Sequence, residues 1–373
     1  MVVKKPPMGW NSWNTFADKI DENIVRTMAD VMVDEGYLAA GYEYLVIDDC
    51  WSLRERDAQG RIVPNPEKFP NGMKAVADYV HSKGLKFGIY SCVGNYTCAG
   101  FPGSFEYEFI DAQTFAEWGV DFLKLDYCYK PISEQGAKLY RRMALALDNC
   151  GREILLSACS WGADETHRWI KSTGSSMWRS TGDVFDKWSS IRDIYNIQKG
   201  IYEYNGAGCF NDMDMLVVGM YGKGHVGLEQ GLTLEEYRTH FSIWSFFGSP
   251  LMMGSDIRSA DDDIKAILQN RDVIALDQDS AYRQPYNVNG DPDVWARHMD
   301  NGDIVLAIFN MGDNGRGYFI PFSELGLGRA SGRGLEIRNL WTGENLGVKK
   351  ELITGGVKAH ETLLLRCKVA EVG

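Results

Sequence analysis

The chain has 373 residues, 45% hydrophobic and 24% charged, enough for a large barrel with a smaller module or for two ordinary domains. A formal net charge of -12 with no basic stripe repels phosphate backbones and anionic lipid, which excludes nucleic acid and membrane surfaces as partners. No stretch approaches the run of about 18 apolar residues that a membrane span needs, and Met1 to Pro7 lacks an apolar h-region, so the expected location is cytoplasmic and bacterial-type.

From the N-terminus to about residue 275, short apolar runs alternate with longer amphipathic stretches. The strand-like runs are Pro7–Asn11, Tyr44–Asp48, Leu85–Tyr90, Val120–Asp126, Glu153–Ser157, Ser176–Ser180, Met215–Val218 and Ser249–Met253. Helix-like segments fall between them at Glu22–Gly36, Met73–Lys83, Ala112–Trp118, Ser133–Asp148 and Leu234–Phe247. Such alternation implies parallel strands joined by crossover helices. No GxGxxG or GxxxxGK[ST] follows the first strand, which argues against a nucleotide-binding sheet. The count of strand runs favours a closed (β/α)₈ TIM barrel over residues 1–280. The acidic triplet Asp261–Asp263 reads as a helix first turn rather than a cation site. From 281 to 373, short strands broken by turns such as Asp300-Asn301-Gly302 predict an antiparallel β-sandwich domain.

The eight cysteines show no CxxC spacing, so mostly free, buried thiols in a reducing compartment are expected. The six histidines show neither HxxxH nor HxH spacing. No metal and no cofactor is expected.

Barrel enzymes carry their chemistry at the C-terminal ends of the strands. Here Asp48 and Asp49, Asp126, and Asp212 with Asp214 end or follow apolar runs, and Asp183 follows the Ser176–Ser180 run. One carboxylate as nucleophile, one as acid/base and others for hydroxyls is the equipment of a glycosidase. Each aspartate alone is more simply read as a helix cap. The set, with Trp10, Trp13, Trp51, Trp161 and Trp178 available as sugar platforms or as core, favours the glycosidase. Lys124 and Asp126 share one side of a strand, so Lys124 is placed to hold Asp126 ionised or to bind the same sugar. Arg179 is a positive clamp near Asp183.

The stretches Pro7–Trp13, Ile47–Trp51, Phe69–Lys74, Phe87–Tyr90, Thr97–Ser104, Leu123–Cys128, Trp178–Asp183, Asn211–Leu216 and Asn270–Gln278 resemble, in order, the α-galactosidases of glycoside hydrolase family 27. The resemblance implies that Asp126 is the nucleophile and Asp183 the general acid/base of a retaining, exo-acting enzyme. It places Asp48 and Asp49 on the 4- and 6-hydroxyls, Lys124 on the 3- and 4-hydroxyls, and Arg179 on the 2- and 3-hydroxyls. Trp13, Tyr90, Asp214 and Met215 would complete the pocket wall. A raised pKa for Asp183 in its acid form, and an ionised Asp126 beside Lys124, follow from that assignment. Cys98 and Cys128 occupy positions that are disulfide-linked in secreted relatives. Two departures stand out: Asp212-Met213-Asp214 replaces the usual Asp-Pro-Asp, and Cys209-Phe210 replaces a Gly/Trp pair.

The segment Cys159-Ser160-Trp161-Gly162-Ala163 lies where the family reads the substituent at carbon 2. The resemblance as a whole implies terminal α-galactosides of oligosaccharides or glycoconjugates as substrates. Ser160 and Ala163 imply the alternative, an α-N-acetylgalactosaminidase or a dual activity, because small residues there admit an acetyl group. An inactive galactose-binding protein would lack one of the two carboxylates, and both are present. A transglycosylase would use the same intermediate, and a homo-oligomer is compatible with the chain.

Overall fold

The computed structural model describes residues 3–372, so Met1, Val2 and Gly373 at the ends of the two expected domains lie outside it. Eight parallel strands form the first body: β1 Met8–Asn11, β2 Tyr44–Val46, β3 Lys86–Cys92, β4 Phe122–Asp126, β5 Leu155–Cys159, β6 Met177–Arg179, β7 Phe210–Asp212 and β8 Leu251–Met253. Their order is β7-β6-β5-β4-β3-β2-β1-β8. A parallel bridge between Leu216 and Met253 joins the segment after β7 to β8. The sheet therefore closes on itself as a (β/α)₈ barrel.

Alternation along each strand divides the apolar side chains between two cores. On β4, Leu123 and Leu125 belong to the large cluster between strands and helices. Phe122 joins Tyr44, Val46, Leu155, Met177, Phe210 and Met252 in a second cluster inside the barrel. This inner plug fills the lower barrel and leaves Lys124 and Asp126, further along the same face, at the C-terminal end.

Local signals start the helices. Asp21 accepts the Ile24 N–H at 2.8 Å ahead of Glu22–Asp34. Thr233 and Glu236 form a reciprocal capping box ahead of Leu234–Phe247. Asp261 accepts the Ile264 N–H at 2.9 Å, so the acidic triplet is the cap and first turn of Asp262–Leu268.

One strand differs from expectation. The seventh is Phe210–Asp212, not Met215–Val218. The latter run is buried because it passes behind the barrel mouth, where Leu216 makes the closing bridge. A short apolar run marks burial, and periodicity alone does not distinguish such a run from a strand. The helix Trp188–Ile201 was also not anticipated.

The second body has strands β9 Tyr286–Asn287, β10 Val294–His298, β11 Ile304–Phe309, β12 Arg316–Pro321, β13 Arg333–Asn339, β14 Asn345–Lys349, β15 Leu352–Val357 and β16 Thr362–Glu371. Six pair as β14-β13-β16-β11-β10-β9, and β12 pairs with β15. Ile304, Leu306 and Ile308 of β11 face the sandwich core with Ile320 and Ile353 from the smaller sheet. Their alternates Val305, Ala307 and Phe309 join the barrel's own core. The six-stranded sheet thus buries both faces, one against its partner sheet and one against the barrel.

Candidate active site

The C-terminal ends of strands β1 to β7 and the loops after them converge on one cavity of about 390 Å³, within the usual size of a small-molecule site. Its walls include Trp13, Asp48, Asp49, Tyr90, Lys124, Asp126, Cys159, Trp161, Arg179, Asp183, Asp214 and Met215, together with Cys98 and Cys128. Of the residues the resemblance places in the pocket, Ser160 and Ala163 do not line it, and among the acidic strand ends Asp212 lies outside it too. Trp10, Trp51 and Trp178 are core, and of the five tryptophans weighed as platforms Trp13 and Trp161 alone reach the cavity.

β1 and β2 supply the first wall. Asp48 Oδ2 accepts Lys124 Nζ at 2.7 Å and Asn11 Nδ2 at 2.8 Å. Its other oxygen accepts the Asp49 N–H at 2.9 Å. Asp49 in turn accepts the N–H groups of Cys50 at 2.7 Å and Ala99 at 3.0 Å. Burial pushes the Asp49 carboxyl upward in spite of those donors. Both aspartates are oriented before any ligand arrives.

β3 and β4 lie in register, Tyr90 beside Lys124 and Cys92 beside Asp126. Lys124 Nζ stands 5.4 Å from the centre of the Tyr90 ring. The direct ion partner of Lys124 is Asp48, not Asp126 as the strand spacing had suggested. Asp126 is 6% exposed and accepts the Tyr127 N–H at 2.7 Å. Burial pushes its carboxyl up to about 6, against the pull of Lys124 and that N–H. A disulfide joins Cys98 to Cys128, with Cα atoms 5.2 Å apart, at the edge of the cavity. Cys50, Cys92, Cys150, Cys159, Cys209 and Cys367 are free and buried.

β6 and the loop after β7 form the opposite side. Arg179 Nη2 is shared by two carboxylates, Asp183 Oδ1 at 2.7 Å and Asp214 Oδ2 at 2.9 Å. Asp214 Oδ2 also accepts the Val184 N–H at 2.7 Å, which ties the chain next to Asp183 to the β7 loop. Asp214 has φ 86, a left-handed backbone held by its N–H donating to Asp212 Oδ1 at 2.9 Å. Asp183 opens to solvent, its side chain 62% exposed. Burial of the carboxyl would raise it, but the Arg179 guanidinium outweighs that and holds Asp183 below the usual carboxylate range. The direction for Asp183 is therefore opposite to the raised value expected from the sequence, and Asp126 is pushed up rather than held low. The physical reason is that Lys124 and Arg179 make their direct ion pairs with Asp48, Asp183 and Asp214, so that for Asp126 desolvation outweighs their pull.

Ser160 and Ala163 need correction. Trp161 has φ 56 and Gly162 φ 79, and this left-handed pair reverses the chain directly after β5. A Cβ on Gly162 would lie 2.4 Å from the Ser180 carbonyl oxygen, so the turn requires glycine. Ser160 is consequently turned inward and fully buried, its Oγ 2.8 Å from Thr166 Oγ1. Ala163 opens a short 3₁₀ helix and packs on the core. The cavity surface at this point is made by Cys159 and Trp161.

Asn11, Asn14 and Gly182 were missed. Asn14 and Gly182 line the cavity, and Asn11 orients Asp48. The one available signal for Asn11 was its place at the C-terminal end of β1.

The family model described as alpha galactosidase A matches residues 5–279, and that described as alpha galactosidase C-terminal beta sandwich domain matches residues 289–367. An alpha-galactosidase of Cyamopsis tetragonoloba is 42% identical over 358 residues, covering 95% of this chain and 84% of the relative. Alpha-galactosidase A of Homo sapiens is 40% identical, covering 88% of this chain and 80% of the relative. The structure of alpha-galactosidase I from Mortierella vinacea superposes with a TM-score of 0.91 at 33% identity, covering 100% of this chain and 98% of that one. The chain belongs to the melibiases of glycoside hydrolase family 27 and is a glycoside hydrolase.

Proposed function

We propose that the protein is a retaining, exo-acting α-galactosidase that removes terminal α-D-galactosyl residues by double displacement. The observation that carries the proposal is one cavity holding a buried carboxylate, Asp126, on the floor strand and a solvent-open carboxylate, Asp183, at its lip. The inner plug of Phe122, Met177 and Met252 closes the barrel beneath it. A pocket of about 390 Å³ with a closed floor supports exo action.

Asp126 attacks the anomeric carbon and forms a glycosyl ester as the glycosidic C–O bond breaks. Asp183 gives its proton to the departing oxygen. In the second step Asp183 takes a proton from water, whose oxygen attacks the same carbon and releases Asp126. Sugar hydroxyls drawing the Arg179 guanidinium away from Asp183 would let that carboxyl take up the proton it must donate. Asp48, held by Lys124 and Asn11, and Asp49, held by two backbone donors, present fixed acceptors to the hydroxyls that distinguish galactose.

The galactoside reading is preferred to the N-acetylgalactosaminide alternative because Ser160 is fully buried, Ala163 packs on the core and Trp161 stands in that wall. The test is hydrolysis of p-nitrophenyl α-galactoside against the α-N-acetylgalactosaminide, with the first-formed anomer read by proton NMR. Galactoside cleavage releasing α-galactose first is expected, with Asp126→Ala reduced to background. Asp183→Ala should lose about 10²–10⁴-fold on an alkyl galactoside and much less on the p-nitrophenyl one, whose leaving group needs little protonation. β-Galactose released first, or wild-type rates in Asp126→Ala, would refute the mechanism.

A further inference from the structure

The cavity described above is large enough for one sugar ring, yet its rim carries aromatic surface that the galactosyl pocket does not use. Tyr129 is 60% exposed and Tyr96 54% exposed. Their rings meet edge to face, centroids 6.0 Å apart at 85°. Each belongs to a loop that carries one half of the Cys98–Cys128 disulfide, and both cysteines line the cavity. Tyr129 directly follows one of these lining cysteines and Tyr96 precedes the other by two residues, which sets the pair next to the cavity's edge.

Its placement is imposed rather than incidental. Tyr129 has φ 50, an uncommon backbone for a non-glycine residue, and its carbonyl accepts the Asn95 N–H at 3.4 Å. A Cβ on Gly94 would lie 2.5 Å from the Tyr129 carbonyl oxygen, so only glycine lets the two loops close this tightly. Tyr96 is braced by a bridge to Pro102. Tyr129 is thus held by its surroundings in a sparsely populated backbone conformation of the kind that clusters at ligand sites.

Resting on the α-galactosidase reading, we propose that Tyr96 and Tyr129 form a leaving-group subsite: an aromatic platform for the sugar ring next to the scissile bond in an oligosaccharide. The apolar C–H face of a pyranose or furanose packs on an exposed ring, and the phenol hydroxyls meet its hydroxyls. The disulfide holds both rings in register with Asp126, whose carboxylate oxygen lies within 4.8 Å of both sulfurs. The platform sets which aglycones are accepted and takes no part in bond breaking.

The test compares raffinose, which places a second sugar beyond galactose, with α-galactosyl fluoride, which places none. In Tyr96→Ala and Tyr129→Ala, kcat/KM on raffinose should fall roughly two- to tenfold each, mainly through KM, with fluoride hydrolysis unchanged. Tyr129→Phe should keep most of the raffinose activity. Untouched raffinose kinetics in the double alanine variant overturn the platform. So does an equal fall on both substrates, which would mark a structural role. No cleavage of the fluoride by the unsubstituted protein would overturn the galactosidase reading and the platform with it.

Discussion

The proposed mechanism needs Asp183 protonated while Asp126 is ionised, and the surroundings of the two carboxyls push the other way. Burial pushes the Asp126 carboxyl up to about 6, while the Arg179 guanidinium holds Asp183 below the ordinary range. On that mechanism the productive form carries a proton on Asp183 and none on Asp126. The expected kcat/KM profile is a bell that falls as pH rises through about 6 and falls again in strong acid. A plateau extending well above pH 7 would contradict this arrangement. The same burial costs stability. The folded-state value of Asp126, about 6, exceeds its ordinary 3.8, so the folded protein binds that proton more tightly than the unfolded chain. Stability then falls as pH rises across that interval and stays lower above it. Asp126→Asn should abolish turnover yet stabilise the fold at pH 7 by roughly 1–3 kcal/mol, read from denaturant unfolding. A destabilised variant would show that the ionised carboxylate is better compensated than the geometry indicates.

At the scale of elements, the loop spanning residues 219–232 is held to the barrel by one carboxylate. Asp186 is fully buried and accepts the Gly222 N–H at 2.7 Å, the Leu232 N–H at 3.2 Å and the Tyr237 hydroxyl at 3.0 Å. The loop's His225 and Val226 N–H groups donate to the Asn14 carbonyl at 2.7 and 3.2 Å. His225 also packs edge-on against Trp13, centroids 5.3 Å apart. Asp186→Ala leaves two amides and a phenol without an acceptor, and should cost about 2–4 kcal/mol. KM should rise with it, because the loop backs the Trp13 wall. A loss under about 0.5 kcal/mol would mean water replaces the carboxylate at no cost. Strand β7 and the turn after β5 belong to this scale too. Met215–Val218 has the composition of a strand, but its backbone partners come from β8. The turn at Trp161 and Gly162 is set by the close approach of the Ser180 carbonyl, which no local pattern announces.

For the whole molecule, the sandwich completes the barrel's core. Trp295 is 3% exposed, donates to the Tyr195 hydroxyl at 3.0 Å and packs on Tyr202 and Phe247 at 5.1 and 5.3 Å. The Arg297 guanidinium donates to the Phe246 carbonyl at 3.0 Å, and Thr239 Oγ1 to the His360 carbonyl at 2.6 Å. Helix Leu234–Phe247 therefore has one face on the barrel and one on the sandwich. Calorimetry should show the two bodies unfolding in a single transition. Trp295→Ala should lower the stability of both together by about 3–5 kcal/mol. Two resolved transitions would show that the apolar contact is not shared core.

The sequence by itself determined the fold class and the carboxylates. Strand-helix alternation, capping residues and acidic strand ends are local properties that survive without coordinates, and the pocket members that the family resemblance implied converge, apart from Ser160 and Ala163. Only the tertiary structure decided that Lys124 is spent on Asp48, that Arg179 is divided between Asp183 and Asp214, and that Ser160 turns inward. Those outcomes depend on distances between different strands and on how far each group is removed from water, and neither quantity is carried by residue order.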